Sequence, residues 1–359
     1  MIRTSLLWFH RYSALVASVV LLVVALSGAA IVFEGAIDRA LNPGLSYVPP
    51  SNESLSIDWL VERARAVAKG ARATGVSLGG IADRSIVVSA GPNAVYVNPH
   101  TGAVLGTRSP QERDNGIARQ LHVLHVRLLG SKVAGEVVGI VTLVAFLLVL
   151  SGLVLWWRER AWRVQWSASW KRVVFDLHHS LGVVASLILL VITASGLVIH
   201  YDAIGRMIGG LDHTPPAAPV RQPKADSGTA EISWDSAATI AHASLPGATL
   251  MFLSRPPAGD VPLTAAMRFP EDRTPGGRSR VVIDRHHGTI LRVDNTREAE
   301  LGTRLNNLKR SLHTGDVLGR PTEAVWLLAA IVLATQAVTG VLMWWNGRPA
   351  RRAERARRS

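Results

Sequence analysis

Seven of the twelve histidines in this chain stand at the ends of long apolar runs. His10, His178 and His179 open such runs. His122, His125 and His313 lie just before two others, and His200 closes one. Ionisable groups are costly in and beside hydrocarbon, so their retention points to a use. Their spacing narrows that use. An offset of 168 residues places His10 on His178, Ser27 and Gly28 on Ser195 and Gly196, and Glu34 on Asp202. An offset of 188 places His125 on His313, Gly152 on Gly340, and Trp156 and Trp157 on Trp344 and Trp345. The chain thus offers a matched pair of imidazoles twice. Two opposed neutral imidazoles with room between them are what a six-coordinate b-type haem requires, because it needs axial donors and no covalent link. With no cysteine present, disulfides, iron–sulfur clusters, thioether-attached haem and cysteine-based zinc sites are excluded.

His10, His178, His125 and His313 are therefore the candidate axial ligands of two haem irons. The second nitrogen of each ring needs an acceptor to orient it, for which Asp176 and nearby backbone carbonyls are candidates. His179 falls opposite Arg11 and His200 opposite Val32 at the offset of 168, and His122 opposite Arg310 at that of 188, so these three rank lower as ligands. His179 and His200 remain candidate cofactor contacts, because one adjoins His178 and the other shares its helical face. His100, His286 and His287 are read as turn residues, and the tryptophan pairs as interfacial anchors.

Four segments are long and apolar enough to carry these histidines across a bilayer, and the domain reading follows from them. It gives spans at 1–33, 133–157, 174–200 and 322–345, outer segments at 34–132 and 201–321, a basic loop at 158–173 and a basic tail at 346–359. The loop carries Arg158, Arg160, Arg163, Lys171 and Arg172; the tail carries Arg348, Arg351, Arg352, Arg355, Arg357 and Arg358. Positive residues beside span ends stay in the cytoplasm, so both termini and the loop are expected there and the two longer segments on the far side. The net charge of +13 then implies contact with the anionic lipid bilayer and not with nucleic acid. The first span runs into Glu34 without a cleavage pattern and is read as an uncleaved anchor.

Each outer segment opens with an amphipathic helix pattern, at 57–68 and 234–245, followed by short β-rich runs such as SIVVS, AVYVN, PLTAAMRF and SRVVID. NPHTG and DRHHG read as hairpin turns. The proline-rich residues 212–230 read as a linker. The expected fold class is membrane α-helical: four transmembrane helices from a tandem repeat, each copy running helix, small α+β domain, helix.

The runs WFHRYSALVASVVLLVVALSG, FEGAIDRALNP, LVLSGLVLWW, DLHHSLGV and NPHTGAVLG resemble the PepSY-associated transmembrane family over residues 5–346. That family contains iron-regulated bacterial inner-membrane proteins, including ferrisiderophore reductases. The resemblance implies PepSY-like periplasmic domains, haem b at His10 and His178 on the cytoplasmic side, and a second haem b at His125 and His313 on the periplasmic side. VLHVRLLG departs from the family's usual LHTG-like run, which the second copy keeps at 312–315. The implied activity is that of a transmembrane oxidoreductase. It would take electrons from a separate cytoplasmic donor, since no nucleotide-binding motif is visible, and reduce a periplasmic acceptor such as a ferric siderophore. Two other readings stay open: a non-redox PepSY binding or regulatory module, and a transporter of a metal complex.

Overall fold

The computed structural model describes residues 2–347 apart from 52, 80–82, 115, 160–161, 216–217, 225–227 and 258. Arg160, the basic tail from 348 and five residues of the expected linker lie outside the described residues. In chain order the helices are α1 (Ile2–Ile31), α2 (Glu34–Leu41), α3 (Pro43–Ser46), α4 (Ile57–Val67), α5 (Pro110–Asp114) and α6 (Ile117–Arg127). They continue with α7 (Lys132–Glu159), α8 (Trp170–His200), α9 (Asp202–Gly209), α10 (Trp234–Ser244), α11 (Leu301–Thr314) and α12 (Arg320–Asn346). The chain divides into two compact units, one of residues 1–34, 120–207 and 308–359 and the other of residues 35–119 and 208–307.

The first unit is helical. α1, α7, α8 and α12 are each long and apolar enough to cross a membrane. α1 and α8 each pack against both α7 and α12, so the four form a ring with α1 across from α8. Small side chains line the contacts: Ala17 and Ala145 beside Leu21 and Leu148, and Ala185 and Ala329 beside Leu189. In lipid, where hydrophobic burial gives no advantage to one helix face over another, such residues let backbones approach closely. The helical unit also takes in most of α6 and the second half of α11, the segments that carry His125 and His313.

The second unit differs from the two small α+β domains expected above. It holds one eight-stranded antiparallel sheet in the order β4-β3-β2-β1-β5-β6-β7-β8. The strands are β1 (Ala73–Ser77), β2 (Ile86–Ala90), β3 (Asn93–Val97), β4 (Val104–Arg108), β5 (Thr249–Ser254), β6 (Leu263–Arg268), β7 (Ser279–Ile283) and β8 (Ile290–Asp294). The two four-stranded halves join where Gly75, Val76 and Ser77 of β1 pair with Ser254, Leu253 and Phe252 of β5. A lone four-stranded sheet leaves an unpaired edge on each side, and joining the halves satisfies two of those edges. The hydrophobic core is shared as well, running from Leu60, Val76 and Val95 to Trp234, Leu253 and Met267. The hairpin expectations hold: Gly102 and Gly288 both have φ of 70° in the β3–β4 and β7–β8 turns, the left-handed region that glycine enters without penalty.

α4 and α10 complete that core and are fastened head to head. Asp235 accepts from the backbone N–H of Ile57 at 2.8 Å and of Asp58 at 3.1 Å. Asp58 in turn accepts from Trp234 at 2.8 Å and Asp235 at 3.0 Å. Each helix start thus receives a carboxylate from the other, satisfying amides that a helix leaves unpaired and complementing both dipoles. Burial alone would raise the Asp58 pKa, but the hydrogen bonds from the backbone of Asp235 and Trp234 outweigh it and bring the carboxyl below its ordinary value. Asp58→Ala is expected to lower unfolding stability by about 1–2 kcal/mol, the usual worth of a helix cap. Thermal unfolding followed by circular dichroism checks this, and an unchanged midpoint would contradict it.

Candidate functional site

The four histidines singled out by spacing come together as two pairs. The rings of His10 on α1 and His178 on α8 face each other across the helical ring, with centres 6.4 Å apart and planes at 90°. Those of His125 on α6 and His313 on α11 lie 6.0 Å apart at 49°. A metal–imidazole bond is about 2 Å long, so two rings on opposite sides of one metal have centres roughly 6 Å apart. Both separations suit that arrangement.

The hydrogen bonds decide which nitrogen is available. His125 Nδ1 lies 2.9 Å from the carbonyl oxygen of Val24, and His313 Nδ1 lies 2.9 Å from that of Ile192. A carbonyl only accepts, so in both rings Nδ1 carries the proton. His10 Nδ1 meets Ser151 Oγ at 2.8 Å, and His178 Nδ1 meets Thr339 Oγ1 at 2.9 Å. Those hydroxyls already donate to the carbonyls of Leu148 and Thr335 in their own helices. They must therefore accept from the imidazoles. All four rings are left with Nε2 as the lone-pair nitrogen, oriented by its partner on the opposite side of the ring. Backbone carbonyls and hydroxyls do this, and Asp176 does not. Asp176 is buried, accepts from the Gln165 backbone at 3.1 Å and pairs with Arg172 at 2.8 Å.

Glycines set how closely the rings approach the helices. A methyl group built on Gly28 would lie 2.9 Å from His125 Cε1, and one on Gly196 would lie 3.0 Å from His313 Cε1. Around the other pair there is more room, 3.3 Å between Gly152 and His10 and 3.5 Å between Gly340 and His178. Outside the spans, burial and then the neighbouring His313 lower the His125 pKa to about 4, and burial lowers that of His313. Both rings are accordingly neutral at pH 7, the form in which imidazole binds a metal.

One family model, that of the PepSY-associated TM region, matches residues 7–346. The chain belongs to that family. It is a multi-pass membrane protein with four candidate spanning helices. No curated protein matches it.

In this PepSY-associated chain a cavity of about 590 Å³ surrounds the His10–His178 pair, within the size range of small-ligand sites. Its walls come from α1, α7, α8 and α12, and His179 is among them. His179 is not one of the paired rings. Its Nδ1 bonds the Phe175 carbonyl in its own helix at 2.9 Å, and its ring stacks on Phe175 at 4.0 Å. His200 stands apart from both pairs, 3.7 Å from Glu136 and against Tyr201. His122 pairs with Glu34 at 3.4 Å. His100 and His286 bond the backbone oxygens of Glu53 and Thr229 within the sheet unit, and His287 bonds Asp284.

Among the described residues no three histidine or carboxylate side chains gather as they would around a bare metal ion. Each layer offers two donors, a number that suits a metal whose remaining positions are filled by a macrocycle. The residues present fit that group: two opposed rings per layer, each with Nδ1 fixed and Nε2 left for iron.

The histidine pattern did not single out Gln336. It lines the cavity, and its Nε2 is buried with no hydrogen-bond acceptor among the described residues. The offset of 188 places it on Leu148, so the sequence did carry a signal, a polar residue where its counterpart is apolar. Gln336→Leu is expected to raise the stability of the ligand-free protein by about 1 kcal/mol, because an unpaired buried amide costs about that or more; a lowered thermal midpoint would contradict it. Gly28→Ala and Gly196→Ala are expected to weaken ligand retention in the His125–His313 layer at least tenfold, although alanine favours the helix. Gly340→Ala should change retention in the other layer less than twofold, and titration of each purified variant with haemin measures both.

Proposed function

We propose that this chain is a di-haem electron-transfer protein of the bacterial inner membrane. It would take electrons on the cytoplasmic side and reduce a periplasmic acceptor of the ferric-siderophore type. The observation that carries the reading is the recurrence, in two layers, of opposed imidazoles whose Nδ1 protons are already committed. His10 and His178 would hold one haem b and His125 and His313 the other. When bound, the cofactors supply one-electron exchange between ferric and ferrous iron.

The chain's own residues supply position and environment. Val24 and Ile192, which orient the second pair, each lie 14 residues beyond the first-layer histidine of the same helix. At 1.5 Å per residue the layers are about 21 Å apart along the bundle. Leu21, Leu148 and Leu189 give the ring between them an apolar lining. Reducing a ferric complex weakens its hold on iron, so delivery of one electron favours release.

The same correspondences support a tandem duplication. Val24 and Ile192 stand at the offset that relates His10 to His178, and Ser151 and Thr339 at the one that relates His125 to His313. With both termini in the cytoplasm, as the loop charge favours, the sheet unit would lie in the periplasm, where the acceptor arrives.

Full-length protein purified in detergent is expected to show a Soret band, a reduced-minus-oxidised difference spectrum of bis-imidazole type and two haems per chain. His178→Ala and His125→Ala should each reduce the count to one. A protein that binds none after expression with added haem precursor would overturn the proposal.

A further inference from the structure

The cavity around His10 and His178 is amphiphilic. Arg3 and Arg11 line it at the α1 N-terminal end. Leu21, Leu189 and Leu333 line its other end. Arg3 and Leu21 are 18 residues apart on one helix, about 27 Å at 1.5 Å per residue. The cavity is therefore long, with its cations concentrated at one end and the ligand-pair imidazoles between. The α1 N-terminus adds its own partial positive charge at the cationic end.

Arginines at a span end commonly reach toward lipid headgroups. Two features favour an occupant of the cavity. Both residues line the cavity, and His10 lies between them in sequence on the same helix. The offset of 168 also places His179 on Arg11, so a polar ring enters the same cavity from α8, next to the second ligand. The walls thus fit a flat molecule with an apolar body and an anionic end, the shape of a tetrapyrrole that carries two carboxylates.

We infer that Arg3 and Arg11 hold the carboxylates of the cofactor in the His10–His178 cavity, with its apolar edge directed toward Leu21 and Leu189. This rests on the haem reading above and adds to it an orientation and two positioning residues. Guanidinium groups beside the carboxylates neutralise them. Ferric haem carries one positive charge more than ferrous haem, so removing the arginines leaves uncompensated negative charge that favours the ferric form. The midpoint potential of this layer should then fall.

The test is a redox titration of the full-length protein with dithionite as reductant, followed optically. The component lost in His10→Ala identifies this layer. In the R3Q/R11Q double variant that component is expected to shift at least tenfold toward the oxidised form at fixed potential, which is 59 mV lower for a one-electron couple. The other component should stay in place. The charge-conserving R3K/R11K variant should restore most of the shift. Loaded with haem dimethyl ester, which has no carboxylates, the wild type and the R3Q/R11Q variant should show the same potential.

A double variant whose component moves less than twofold overturns the inference. So does one whose shift is equally large with the ester, because the arginines would then act on lipid phosphate. Absence of any haem band in the wild type would instead remove the reading on which the inference rests.

Discussion

Everything proposed for the helical unit depends on one interaction repeated four times: an imidazole Nδ1–H donated to an oxygen held by a neighbouring helix. The oxygens belong to Ser151, Thr339, Val24 and Ile192. A histidine in an apolar bundle faces a desolvation cost, and a free ring adopts either tautomer and several rotamers. Committing Nδ1 satisfies one polar atom, selects the tautomer and fixes the ring plane in a single step. It also couples the site to helix packing, because each acceptor lies on a different helix from the ring it orients. A small shift between α1 and α7, or between α8 and α12, would change the donor geometry of a layer.

The two layers solve the same problem with different acceptors. His10 and His178 use hydroxyls that are themselves anchored to the carbonyls of their own helices. His125 and His313 use backbone carbonyls directly, and their rings lie so near Gly28 and Gly196 that no side chain fits between. The first arrangement leaves a roomy cavity beside the rings, and the second brings the rings against helix backbone. The layers therefore differ in how tightly each would constrain a group bound between its rings.

In the sheet unit the analogous constraint is the reciprocal capping of α4 and α10 by Asp58 and Asp235. It joins the halves on the helix side of the core, as the β1–β5 pairing does on the sheet side. Separate domains were expected because each half contains a full helix-and-strand pattern. β1 reads ATGVS and β5 reads TLMFLS, and neither shows the strict inside-outside burial alternation of β2 and β6. At an internal joint a strand is buried through its neighbours, so its own sequence is freer. Gly75 has no side chain where the Phe252 ring crosses, which hid β1 from any propensity argument.

The amino-acid sequence by itself determined the membrane class, the four spans, the helix starts at 57 and 234, both hairpin turns and the pairing of His10 with His178 and His125 with His313. These follow from local composition and from offsets, which survive without coordinates. Tertiary structure alone decided that the rings in fact oppose one another, that hydroxyls and carbonyls rather than Asp176 orient them, that His179 turns back on Phe175, and that the two outer segments share one sheet. Each of those outcomes depends on side chains more than a hundred residues apart meeting at hydrogen-bond or van der Waals distance, or on a choice between partners on the same helix turn. Periodicity along one chain carries no information about either.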